Sequence, residues 1–350
     1  MTMTIPPPRL PDGPPRPPRP LDPDAPGRAD RGLFDLGLPL EECRVVAVPV
    51  PYEATCSGAA GTADGPRALV EASRDVDLHD PVAGEPYAAG IGALDEEPAI
   101  RRASRSARAA VADARNGDAA AAARADAIGR AVQEWVYRAC RGLLATERLP
   151  VVLGGEHAVS VGAFRAAAER RSGIGILQID AHPDLRPSYE GMATSHAAAM
   201  HAALSIEGVQ RIVAVGLRDI APADTRAREE AVGRCVWFTD AAIGAALAAG
   251  RRYDDVVAEV IEALPPDVWI SLDMDGLEPA LCPGTGTPVP GGLTWREFVG
   301  LVAAVGRSRR IVGADLVEIG PGRLDGLVAA KAFYLIAGVA LAHRQQGAGP

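Results

Sequence analysis

Gly175-Ile176-Leu177-Gln178-Ile179-Asp180-Ala181-His182-Pro183-Asp184 is the stretch on which the fold turns. It begins as an apolar run and ends in three metal-type ligands at alternating positions, Asp180, His182 and Asp184. An apolar run of this length reads as a parallel strand buried on both faces. In an open α/β sheet, chemistry sits just beyond the carboxyl ends of such strands. The segment therefore reads as a strand that delivers Asp-x-His-x-Asp to the mouth of a site. Two carboxylates and an imidazole suit Mn2+, Zn2+, Fe2+ or Ni2+ better than Ca2+. Taken alone, a strand-end Asp is commonly a helix cap, and a nearby His is commonly a hydrogen-bonded core residue. The reading thus depends on what the other strand ends carry.

On either side of this stretch the pattern recurs. Residues 151–153 form an apolar run that ends in Gly154-Gly155-Glu156-His157. Residues 268–272 form another, ending in Asp273-Met274-Asp275, and residues 310–313 lead to Ala314-Asp315-Leu316-Val317-Glu318. Further strands are expected at 44–50, 211–215 and 235–238. Helices are expected from Pro66 onward, across 100–147 with a break at Asn116-Gly117-Asp118, at 253–264 and at 327–343. Strands alternating with helices predict one α/β domain around a mostly parallel sheet.

The totals narrow the function. A chain of 350 residues, 48% of them hydrophobic, is long enough for one large domain with a full core. The net charge of −9 and the lack of a basic run argue against nucleic-acid partners. The five cysteines (Cys43, Cys56, Cys140, Cys235, Cys282) are scattered with no Cys-x-x-Cys pair. This argues for a reducing, cytoplasmic location and against a disulfide frame. No signal-peptide core and no apolar run of membrane-spanning length is read, so no membrane role is expected. Residues 1–30 are rich in Pro and Arg and are expected to be a disordered tail or an intersubunit arm. Residues 31–345 are expected to form a single catalytic domain, followed by a C-terminal tail at 346–350.

His157, the Asp180/His182/Asp184 trio and the Asp273/Asp275 pair sum to two His and four Asp at apolar strand ends. Alternate strand residues share a face, so Asp273 and Asp275 can point the same way. One metal does not need six such ligands, whereas two metals sharing bridging carboxylates do. Four packed carboxylates would also repel one another without cations. Two ions about 3.5–4 Å apart can hold a bridging hydroxide as nucleophile at neutral pH.

At this point the chain resembles the ureohydrolase family of arginases and agmatinases. The resemblance rests on Gly-Gly-Glu-His at 154–157, Asp-Ala-His-Pro-Asp at 180–184, Ser-Leu-Asp-Met-Asp at 271–275 and Pro-Gly-Thr-Gly-Thr-Pro at 283–288. Pro49 to Ser73, Ser195-His196 and Asp315 to Glu318 extend it over most of the chain after residue 40. It implies a three-layer α/β/α fold and two Mn2+ per chain, with Ni2+ or another divalent ion as the alternative. One ion would take His157, Asp180, Asp184 and Asp273, and the other Asp180, His182, Asp273 and Asp275. The bridging hydroxide would attack the guanidinium carbon of a small guanidino substrate. Glu318 would anchor that guanidinium, and His196 would shuttle a proton to the leaving amine, giving urea and an amine. The family usually assembles as trimers or hexamers, so a homo-oligomer is implied.

Some positions depart from the family pattern. Glu156 stands where the family more often has Asp. Arg186 stands where arginases typically carry an Asn that holds the substrate's amino-acid end, which argues against a plain arginase. Tyr189-Glu190-Gly191 and the loop from Cys56 to Gly61 would shape the far end of the substrate. The alternatives weighed are a relative acting on guanidinobutyrate or guanidine, a deacetylase-like amide hydrolase, and a non-catalytic family member.

Overall fold

The apolar runs become strands of one parallel sheet. The computed structural model describes residues 4–24, 31–171 and 173–346. Through its first half the chain runs β1 (Val45–Val50), α1 (Gly65–Ala72), β2 (Ile91–Ala93), α2 (Pro98–Arg115), α3 (Ala119–Ala145), β3 (Leu149–Gly154), α4 (Ser160–Arg170) and β4 (Ile174–Ile179). It continues through α5 (Ala199–Leu204), β5 (Val209–Leu217), α6 (Pro222–Glu230), β6 (Cys235–Thr239), α7 (Asp240–Ala248) and α8 (Tyr253–Ala263). It closes with β7 (Asp267–Asp273), α9 (Trp295–Ser308), β8 (Arg310–Val317) and α10 (Arg323–Gln346). Among the described residues the sheet has eight strands in the order β2-β1-β3-β8-β7-β4-β5-β6. Every pairing in it is parallel.

The period of two along each strand sorts side chains into two cores. Val45 and Ala47 of β1 join Leu177 and Ile179 of β4 in one core, covered by α1, α8, α9 and α10. Val46, Val48 and Val50 join Ile174 and Ile176 in the other, covered by α2, α3 and α4. The result is the expected three-layer α/β/α arrangement. It explains why the strands read as unbroken apolar runs: both faces are covered.

Local signals set the helix ends. Gly117 sits at φ +95°, a conformation glycine adopts without a steric cost. Asp118 then caps α3 by accepting a hydrogen bond from Ala121 N at 3.0 Å. Thr294 and Glu297 form a reciprocal capping box at the start of α9. β2 is an addition to the expected strands, because three residues carry too little periodicity to read. α10 contains a stretch, Arg323–His343, long and apolar enough to cross a bilayer, which corrects the reading that no such run exists. The fold buries 83% of that stretch, which makes it a core helix.

Residues 4–24 run along the body of their own chain. Arg16 N donates to Glu41 O at 2.7 Å, Arg19 N to Glu42 Oε2 at 3.0 Å, and Arg148 Nη1 to Gly13 O at 2.5 Å. Residues 1–3 and 25–30 of the Pro-rich segment, and 347–350 of the C-terminal tail, lie outside the described residues.

On β8, Gly313 lies directly against the Trp269 ring of β7. A methyl group built there would fall inside the ring's van der Waals surface. Gly313→Ala is expected to destabilise the fold by about 1–3 kcal/mol through overpacking. A denaturant midpoint identical to that of the parent protein would refute this.

Candidate metal centre and active site

The strand order decides where the chemistry converges. β3, β8, β7 and β4 are consecutive neighbours, and their carboxyl ends carry His157, Glu318, Asp273/Asp275 and Asp180–Asp184. All six predicted ligands come together there. Ligand atoms of His157, Asp180 and Asp273 lie within 4.8 Å of one another, as do those of Asp180, His182 and Asp275. Asp184 Oδ2 joins the first group at 3.0 Å from His157 Nδ1.

Local devices aim several of these side chains. Gly155 lets the chain pass directly against the Tyr52 backbone, where no Cβ would fit. Asp180 is held by Gln178 Nε2 on Oδ2 at 2.8 Å and by His182 N on Oδ1 at 2.7 Å. Asp275 accepts from Ala181 N at 3.0 Å and from Thr287 Oγ1 at 3.1 Å. Asp184 and Glu318 have φ of 51° and 55°, which costs a non-glycine residue on the order of 1 kcal/mol or more each. Such conformations persist where the surrounding structure holds them, and here both turn a carboxylate into the site.

The orientation of His157 tests whether these residues suit a cation. Trp269 Nε1 donates to Asp315 Oδ2 at 2.6 Å, and Ser271 Oγ donates to Asp315 Oδ1 at 2.8 Å. With its proton committed, Ser271 Oγ accepts from His157 Nε2 at 2.9 Å. Neutral His157 then presents the lone pair of Nδ1 to carboxylate oxygens of Asp184, Asp180 and Asp273, at 3.0, 3.2 and 3.5 Å. Buried Nδ1 has no hydrogen-bond partner among the described residues. Facing three carboxylates, that nitrogen requires a cation, a proton or a metal ion, and four converging carboxylates with two imidazoles fit divalent metal. Ser271→Ala is expected to weaken metal binding by about 10–100-fold while leaving the fold intact. Unchanged affinity in a metal titration would exclude this orienting role.

The electrostatics show the same demand for positive charge. Burial, then Asp275 and Asp184, pushes Asp180 up to about 7. Burial, then Asp275 and Asp180, holds Asp273 well above the usual carboxylate range. For His157, burial works to lower the pKa, and the three surrounding carboxylates outweigh it and hold it well above its ordinary value. His182, opposed by burial but paired with Asp275 at 3.0 Å, is raised to about 10.

A cavity of about 410 Å³ opens onto this cluster. Asp184, Asp273, Asp275, Glu318 and His196 all line it, as do Ser57, Asp219 and Tyr189. Glu318 accepts from His157 N at 3.1 Å, and burial, then Glu156 and Asp275, raises its pKa well above the ordinary range. Burial lowers the pKa of His196. Arg186 does not stand free in the wall: its guanidinium lies 4.7 Å above the Tyr189 ring, and its Nε is 3.9 Å from Asp224. Tyr189 in turn stands edge-to-face to His196. His201 lies on α5, outside both metal-capable groups. Cys56 is a buried loop residue beside Glu53 and Arg108.

Reading the sequence does not assign roles to Trp269, Ser271 and Asp315, to Gln178, or to Thr55. Trp269 and Ser271 carry a signal, since they alternate with Asp273 on one strand face. Gln178 carries one too, as the polar residue in a buried apolar run. Thr55 carries none.

A parallel α/β/α sheet whose adjacent strand ends gather two His and four Asp over an acidic cavity defines the class of metal-capable hydrolase folds. The chain belongs to the arginase family, whose sequence model matches residues 43–337. It is 35% identical over 286 residues to N(1)-aminopropylagmatine ureohydrolase of Thermus thermophilus, covering 81% of this chain and 85% of that protein. It is 32% identical over 195 residues to agmatinase of Bacillus cereus, covering 54% of this chain and 60% of that one. Its fold matches the crystal structure of agmatine ureohydrolase of Thermoplasma volcanium with a TM-score of 0.66. That match has 23% identity and covers 87% of this chain and 92% of the other.

Proposed function

We propose that this protein is an amidinohydrolase that uses two divalent cations to hydrolyse a small guanidino compound, agmatine or a relative of it, to urea and an amine. The observation that carries the reading is one acidic cavity lined at once by Asp273, Asp275, Glu318 and His196. Such a cavity favours a cationic substrate. The relatives named for agmatine and aminopropylagmatine support the same substrate class.

His157, Asp180, Asp184 and Asp273 would hold one ion, and Asp180, His182, Asp273 and Asp275 the other. When bound, the ions supply an activated water at neutral pH and electrostatic stabilisation of the developing charge. Glu318 pairs with the flat guanidinium through two hydrogen bonds and presents its carbon to the cluster. His196, on the cavity wall, carries a proton to the leaving amine. Tyr189 and Ser57 border the space left for the rest of the substrate. Two His with four carboxylates suit Mn2+, with Ni2+ as the alternative. We further infer a homo-oligomer, trimer or hexamer, and a cytoplasmic location; the five unpaired, buried cysteines support a reducing compartment.

The test is urea release from agmatine, aminopropylagmatine, guanidinobutyrate, arginine and guanidine, after loading the purified protein with Mn2+ or, separately, Ni2+. Urea from agmatine or aminopropylagmatine is the expected result. A folded, metal-loaded protein that releases urea from none of the five overturns the proposal.

A further inference from the structure

We propose that Thr55, held by Glu156, is a positioning residue that locks His196 in its Nδ1–H tautomer and leaves the Nε2 lone pair free to take a proton. This rests on the reading of His196 as the proton carrier.

The donors and acceptors around one hydroxyl leave a single consistent assignment. Thr55 Oγ1 stands 3.1 Å from Glu156 Oε2, 3.0 Å from His196 Nδ1 and 3.0 Å from His196 N. A hydroxyl has one proton to give and two lone pairs to share. The backbone N–H of His196 can only donate, so it takes one lone pair. The hydroxyl proton then goes either to Glu156 or to Nδ1. A carboxylate oxygen is the stronger acceptor of the two. Glu156 is also fixed in place, because the same Oε2 accepts from Ala54 N at 2.9 Å and Thr55 N at 2.7 Å. With the proton on the Glu156 side, the second lone pair of Oγ1 accepts from Nδ1–H. Every donor and acceptor around Oγ1 is then satisfied. Ser195 Oγ lies at 3.5 Å from Nδ1, the longest contact around that atom.

Ionised Glu156 is the acceptor in this assignment, its Oε2 gathering the Ala54 and Thr55 amides together with the Thr55 hydroxyl. The other ring nitrogen, Nε2, has Ser57 Oγ at 3.4 Å, on the lining of the cavity. Which nitrogen of a histidine carries the proton is set by the bond its other nitrogen makes. Here that bond comes from the loop after β1, which meets Glu156 after β3 and His196 before α5. The departure from Asp to Glu at position 156 thereby acquires a purpose, since its carboxylate reaches the loop's amides and hydroxyl together.

The experiment uses the full chain labelled with 15N-histidine and loaded with diamagnetic Zn2+. Long-range 1H–15N correlation reads the tautomer directly, and the His196 signal is identified by its loss in His196→Asn. A protonated Nδ1 and a bare Nε2 at neutral pH are expected. Thr55→Val should shift the population toward Nε2–H and lower kcat on the order of 100-fold, with KM changed less than about twofold. Thr55→Ser should restore kcat to within about threefold, because it returns the hydroxyl. A wild-type His196 protonated on Nε2 overturns the proposal, as does a Thr55→Val protein with unchanged tautomer and kcat. Should Thr55→Val fail to fold, the wild-type tautomer and Thr55→Ser still decide it. Full urea release by His196→Asn would instead defeat the proton-carrier reading, a result separate from the tautomer.

Discussion

Asp273→Ala will abolish urea release and strip the metal centre in one step. Asp273, with Asp180, is shared by the two proposed ion sets: its Oδ2 lies 3.5 Å from His157 Nδ1, and its Oδ1 accepts from Asp275 N at 3.0 Å. Alanine removes both contacts and leaves His157, Asp180 and Asp184 around a wider gap. A fall in activity on the order of 10³-fold or more is expected, equal to about 4 kcal/mol of transition-state stabilisation. Bound metal, measured by elemental analysis after dialysis, should fall below two ions per chain. The fold should survive, since removing one of several mutually repelling carboxylates relieves charge in a buried cluster. A variant that keeps both ions and full activity would remove Asp273 from the ligand set.

Glu318→Gln separates substrate binding from metal binding. The amide is isosteric and its oxygen can still accept from His157 N, so the backbone at φ 55° has no reason to relax. What is lost is the negative charge that meets a guanidinium. Truncating one partner of a buried charge pair costs about 2–5 kcal/mol, so kcat/KM should fall by roughly 30- to 5,000-fold. Metal content should stay at the parental level. If kinetic constants match those of the parent on the preferred substrate, Glu318 does not anchor the guanidinium.

The two variants report on different kinds of information in the chain. The ligand types at strand ends are legible because each motif is local. An apolar run of about six residues, then polar residues at alternate positions, says that a strand ends and which side chains share a face. Asp180, His182 and Asp184, and Asp273 with Asp275, are readable on those grounds alone. The helix break at Asn116-Gly117-Asp118 belongs to the same local class. Short or atypical pieces are not legible. Ile91–Ala93 is a strand only because β1 pairs with it. Thr55 has meaning only through Glu156 and His196, which lie 101 and 141 residues further along the chain.

The alternation of strands and helices, the burial of both sheet faces and the identity of the residues carried at each strand end are thus written in the amino-acid order. Periodicity and turn chemistry act over a few residues and need no partner to be read. Long-range packing made β3, β8, β7 and β4 neighbours, and hence brought residues as distant as His157 and Asp273 to face one cavity. It also imposed the left-handed backbone at Asp184 and Glu318, and the bonds that set the tautomers of His157 and His196. Strand order follows from how crossover helices pack on the sheet, and a strained backbone angle persists only because many distant contacts hold it. Neither cause is contained in any short stretch of the chain.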